Sequence, residues 1–243
     1  MILKMNFKKL MAASLTSYRI NFPRLWGITA IFLVPFLIME AYVLRHSTLW
    51  QILAINLSPT VSKGLYLITV VGAFVLFLLY YGVIIKYLVS ADKGIKSSIP
   101  SLYREASGSL GSVLKVMGIY FFKVLMWSFV FLIPGIIFGV LNSFAVMAVL
   151  VEGKQGKEAF VASQKMIRPF FLKFLDYFLF VFLLLAAFYI PPVLLIDLLI
   201  RGFVNTNIYM WSVVAEYLEL GILIFMGHFL FVFGFCFYKE FKG

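Results

Sequence analysis

The chain is poor in the residues from which metal sites, disulfide frameworks and charged soluble surfaces are built. Among 243 residues there is one cysteine and there are two histidines. Cys236 therefore has no partner within the chain, which excludes an intrachain disulfide and a cysteine metal cluster. His46 and His228 lie far apart, and with a lone cysteine they support neither a zinc site nor a haem-binding bundle. No cofactor and no metal is expected. Charge is scarce as well, at 13% of residues against roughly 25% in an ordinary soluble domain. Ten-residue stretches of apolar/polar alternation are missing, which excludes a membrane β-barrel. The common catalytic patterns are missing too. There is no His-Glu-x-x-His, no Gly-x-Ser-x-Gly and no phosphate loop, and the run from Gly153 to Glu158 lacks both the spacing and the hydroxyl of one. No catalytic residue is assigned, and the chain is expected not to be an enzyme.

What the chain has is apolar bulk. It is 63% hydrophobic and 19% aromatic, more than a water-soluble core can absorb. Its apolar runs are long and continuous, so they are helices that span a bilayer, since a helix satisfies its own backbone there. The fold class expected is all-α, a polytopic bundle forming a single integral membrane domain over 1–243. Spans are expected at about 24–44, 64–89, 114–133, 135–151, 170–196 and 212–238. Ile133-Pro134-Gly135 reads as a tight turn between the third and fourth spans. No cleavable signal peptide is expected, because the first apolar run is long and comes after a basic segment of about twenty residues. The outer segment from Arg45 to Lys63 contains Trp50, Leu53, Ile55 and Leu57 and reads as interfacial.

The net charge of +11 comes from 21 basic against ten acidic residues. Eighteen of the basic residues fall on alternate connections: Lys4 to Arg24, Lys86 to Lys123, Lys154 to Lys173, and Lys239 with Lys242. Only Arg45, Lys63 and Arg201 fall on the others. The positive-inside rule then puts both termini in the cytoplasm. In such a protein a basic excess sets topology and meets anionic lipid, so nucleic acid is not an expected partner.

The segment between spans four and five is amphipathic. Ala159, Phe160, Ser163, Met166, Ile167, Phe170 and Phe171 recur at three- and four-residue steps. Lys157, Glu158, Gln164, Lys165 and Arg168 take the other face. Pro169 then redirects the chain into span five. Residues 1–22 open the protein in the same way, ahead of Pro23. The two segments match at Ala13 and Ala162, Ser14 and Ser163, Arg19 and Arg168, and Phe22 and Phe171. A third such segment, Lys93 to Val116, precedes span three, with two registers open. These matches predict three repeated units of interfacial helix, span, outer turn and span. Lys154, Lys157, Glu158, Ser163, Lys165, Arg168, Arg19, Lys93, Lys96 and Arg104 are the candidates for binding lipid headgroups or a partner.

Ionisable and polar residues inside a membrane are costly and mark candidate sites. Asp176 reads as a headgroup-level carboxylate or a partner of Lys173 or Lys123; the sharper reading is an ion or proton site. Glu216 and Glu219, one turn apart, read as solvated carboxylates or as a pair that binds a cation or shares a proton. His228 reads as a neutral imidazole bonded to a neighbouring helix. Asn142 reads as interhelical glue beside Gly135, Gly139 and Ser143, a small-residue seam.

The stretch from Ser143 to Phe174 resembles one common to several bacterial six-helix membrane families, including the membrane domain fused to some glycerophosphodiester phosphodiesterases. The matching residues are Glu152, Gly156, Glu158, Ala159 and Ser163. The resemblance implies a helical domain in a bacterial cell membrane. It does not imply hydrolysis, because the soluble catalytic domain, with its His-Arg-Gly start and metal-binding carboxylates, has no counterpart here. Glu158-Ala159 with Ser163 four residues on is also similar to the cytoplasmic coupling loop of ABC importer permeases, although Phe160 and Ser163 replace the second Ala and the Gly. The expected function is non-enzymatic: organising anionic phospholipid or another membrane protein through basic cytoplasmic helices. The alternative is a transporter or channel subunit for a small solute or ion.

Overall fold

The computed structural model describes residues 7–44, 59–203 and 208–242, and every regular element among them is helical. In chain order these are α1 (Phe7–Leu44), α2 (Pro59–Asp92), α3 (Ile99–Val130), α4 (Leu132–Leu141), α5 (Ala145–Glu152), α6 (Lys157–Ile167), α7 (Phe171–Phe203) and α8 (Ile208–Lys242). A single 3-10 turn, Arg168–Phe170, joins α6 to α7. Among the described residues five helical stretches are long and apolar enough to cross a bilayer: Val71–Asp92, Ile99–Phe129, Ile133–Glu152, Lys157–Leu195 and Ile224–Lys242. The chain is thus a multi-pass helical membrane protein. The stretch expected at 24–44 lies on α1, whose side chains are described only as far as Leu33. Most of the expected outer interfacial segment, 45–58, lies outside the described residues.

Two of the three amphipathic starts, on α1 and α3, run without a break into the apolar stretches beyond them, while the 3-10 turn separates α6 from α7. α1 passes straight through Pro23, with Leu25 and Ile28 completely buried just past it and the helix packed against α2 and α8. Packing of that kind outweighs the roughly 3 kcal/mol that an interior proline costs. α3 likewise carries the third basic segment from Ile99 onward and most of the third span in one helix, started by Ser98, whose hydroxyl accepts from the Ser101 N–H, with Pro100 in the first turn. α7 continues through Pro191 and Pro192.

The hairpin between the third and fourth runs differs from the expectation. The turn is a single residue, Phe131, extended at φ −153° and ψ 132°. Pro134 instead sits in the first turn of α4, where its missing N–H costs nothing. Gly135 is an approach point rather than a turn. A Cβ there would collide with Ser128 Oγ and stand 3.0 Å from the Ser128 backbone, so only glycine lets α4 press on α3.

The fourth run is also not one helix. It stops at Leu141, turns over 142–144 and resumes as α5. With ten and eight residues, the two pieces are about 15 and 12 Å long, each too short alone for a core of about 30 Å. Asn142 interrupts the ladder, since its side chain competes for the backbone and donates to the Phe138 carbonyl at 2.7 Å. α5 ends on Gly153, left-handed at φ 70°, with the Lys154 N–H reaching back to Ala148 O.

Burial is uneven along the helices. Residues 78–88, 144–150 and 232–238 carry most of the core, joined by Leu102, Ala106 and Val116 of α3 and by Leu10, Leu25 and Ile28 of α1. Phe237 is the hub, with its ring against those of Phe144, Phe174, Tyr177, Phe233 and Phe241.

Candidate functional site

Two regions gather the polar chemistry. The first is the end of the bundle where α2, α5 and α8 finish and α3 and α6 begin. Lys239 of α8 pairs with Asp92 at the end of α2. Glu152, at the end of α5, is only 12% exposed and collects three partners. Lys154 approaches it at 2.7 Å and Lys242 at 3.4 Å, while the fully buried Tyr238 donates its hydroxyl to Oε1. Arg24 of α1 donates to the Ser97 carbonyl at 2.8 Å and lies over the Tyr87 ring. Tyr87 in turn donates to Asn21 Oδ1 at 2.7 Å. These bonds tie four separate chain segments into one end.

α6 lies across this region with its two faces separated as its spacing requires. Ala159, Phe160, Ser163 and Ile167 are buried, and Lys157, Glu158, Lys165 and Arg168 are exposed. Glu158 stands in the first turn and Lys165 in the last, each favourable to the helix dipole. Gly156 opens the helix at φ 48°, a conformation that disfavours side chains. Ser163 works inward. Its hydroxyl donates to the Leu141 carbonyl at 2.8 Å and accepts from the Phe144 N–H at 3.2 Å. Gln164 adds a bond from Nε2 to Asn142 Oδ1 at 3.0 Å. The backbone groups freed by the break in the fourth run are thus satisfied from α6. Of the remaining basic candidates, Arg19, Lys93, Lys96 and Arg104 are exposed, and Lys154 is half-buried against Glu152.

The second region is a polar junction inside the bundle, where α1, α2 and α8 meet. His228 is completely buried. Its Nε2 contacts the Thr29 hydroxyl and lies 2.7 Å from the Tyr80 hydroxyl. Thr29 and Tyr80 are themselves 3.0 Å apart, and Thr29 donates to Leu25 O at 2.8 Å. The bonded imidazole expected at this position is present, but its partners come from positions 199 and 148 residues away in the chain. No local pattern points to Thr29 or Tyr80.

The intramembrane candidates do not converge. Asn142 is absorbed by the α4–α5 break, and Asp176 is exposed on α7 with no ion pair among the described residues. Lys123, offered as its partner, instead lies 5.8 Å from the ring centres of both Phe138 and Phe160. The side chains of Glu216 and Glu219 lie outside the described residues. Among the described residues no three metal-ligating side chains come together. No protein-family model matches the chain, and no curated protein or solved structure is significantly similar to it.

Proposed function

We propose that the chain is a six-span, non-enzymatic membrane protein that gathers anionic phospholipid at its basic, cytoplasmic end. The observation that carries this reading is the split of α6, whose apolar face is fastened to the bundle while Lys157, Lys165 and Arg168 point away from it. A helix held in this way presents its charges in a fixed array, and each basic residue near an anionic leaflet contributes about 1 kcal/mol. Lys93, Lys96 and Arg104, flanking the start of α3, extend the same cationic surface. The matched Ser14 and Ser163, both fully buried, support reading the α1 start and α6 as equivalent parts of a repeat.

The test is reconstitution into nanodiscs of mixed phosphatidylglycerol and phosphatidylcholine, then native mass spectrometry of the released protein. The Lys157→Gln, Lys165→Gln, Arg168→Gln variant should lose retained phosphatidylglycerol by about tenfold or more. Retention equal to that of the unaltered chain ends this reading.

A further inference from the structure

Between Lys115 and Glu152 the chain has one charged side chain, Lys123. It is exposed, on a stretch of α3 where Phe121, Phe122, Leu125 and Met126 are exposed as well. Its ammonium lies 5.8 Å from the ring centre of Phe138 on α4 and 5.8 Å from that of Phe160 on α6. α4 and α6 pack on one another, so Lys123 Nζ marks the corner where α3 meets them. The basic residues of the outer face of α6 point away from the bundle, and Lys123 therefore stands apart from that array.

Two ring faces attract an ammonium but carry no net charge. Among the described residues Lys123 has no ion pair. Glu152 is taken by Lys154 and Lys242, and Asp92 by Lys239. Glu158 stands two residues before Phe160, about 200° round α6 from it. A cation on an apolar flank is costly without a counter-charge. For a side chain that faces the bilayer, the surroundings offer one anion, the phosphate of a lipid headgroup. A cation without a partner favours a lipid of net negative charge, because the phosphate of a zwitterionic lipid is already balanced by its own ammonium.

We infer that Lys123 seats the phosphate of one anionic phospholipid in the corner of α3, α4 and α6. The acyl chains run along Met126 and Trp127, which are exposed one turn further along α3 on the same face. The inference rests on the reading that places α6 at the membrane surface, and it adds a discrete seat for a single lipid to the diffuse array on the outer face of that helix.

The test uses the full chain in nanodiscs of equal phosphatidylglycerol and phosphatidylcholine, followed by native mass spectrometry under rising collisional activation. One phosphatidylglycerol should persist on the unaltered chain after the others have left. Lys123→Gln should lower that species by about tenfold or more, as loss of a hydrogen bond to a charged group does, and Lys123→Arg should keep it. Equal retention by Lys123→Gln, or a phosphatidylcholine held in the same way, overturns the seat. The Lys165→Gln, Arg168→Gln variant separates this seat from the array: it should shed the loosely held lipids and keep the last one. Loss of the last lipid there, with retention in Lys123→Gln, also overturns the seat. Inorganic phosphate offered to delipidated protein in detergent should not bind at Lys123; a phosphate adduct that Lys123→Gln removes would overturn the lipid as occupant. A cryo-electron-microscopy map of the unaltered chain in the same nanodiscs needs no variant. A two-tailed density is expected with its head against Lys123 and its tails along Met126 and Trp127, and a protein carboxylate on Lys123 Nζ overturns the inference.

Discussion

The same helices behave differently at their two ends. Towards the basic end α2 buries Leu78, Val83, Ile84, Ile85 and Leu88, whereas earlier in the helix Ile68, Val71, Phe74 and Phe77 are exposed. α3 buries Leu102, Ala106, Val113 and Val116 and then exposes Phe121, Phe122, Leu125, Met126, Trp127 and Phe129. α7 begins against Phe144 and Phe237 through Phe174 and ends with Leu194, Leu195 and Leu198 exposed. Composition is apolar at both ends, so hydrophobicity does not distinguish them. In a bilayer lipid tails are as apolar as leucine, and helices gain little by hiding such side chains from them. What separates the two ends is shape and polarity. The packed end has the ion pairs, the Ser163 staple and the interlocking rings.

This contrast can be broken most strongly at its hub. Phe237→Ala should cost about 3–5 kcal/mol, as large-to-small changes in a packed core do. Thermal unfolding in detergent should report it as a large loss of Tm, whereas Phe122→Ala, at a site 62% exposed, should leave Tm nearly unchanged. Equal losses at the two sites would erase the distinction. Ser163→Ala comes next. It leaves the Leu141 carbonyl and the Phe144 N–H without their partner, at about 1–3 kcal/mol. Amide exchange should rise at 142–145 and stay constant in α3. Gly135→Ala, which forces α4 away from Ser128, should cost a comparable 1–3 kcal/mol or so and loosen the α3–α4 hairpin in the same exchange experiment. The smallest effect belongs to the exposed Lys239–Asp92 pair. Lys239→Ala should move stability by no more than about 0.5 kcal/mol, and added salt should shrink even that difference.

The long apolar runs and the division of α6 into two faces are legible in the sequence, because both rest on local periodicity or composition. Ala159, Phe160, Ser163 and Ile167 are buried where three- and four-residue spacing puts them. Val161, apolar but off that stripe, is exposed. The break at Asn142 is not legible, since an asparagine in an apolar run stops a helix only if something receives the freed backbone, and the receiver is Ser163 on another helix. The turn at Phe131 escapes for the opposite reason: Pro134 and Gly135 are turn residues by habit, yet one opens α4 and the other serves close packing. The partners of His228 cannot be found from the sequence at all, because α1 and α2 meet α8 only in three dimensions. Ser163 itself is visible as a candidate for binding outward, and its place in the fold gives it a bond pointing inward.

The single-residue turn at Phe131 bears on how the protein is made. From Val124 to Leu141 the chain contains no charged side chain, and Phe131 alone separates two helices. Nothing hydrophilic has to be carried across the bilayer between them. During synthesis α3 and α4 can therefore leave the insertion machinery together, as a closed pair, with no intermediate in which one waits in the membrane for a polar loop to cross.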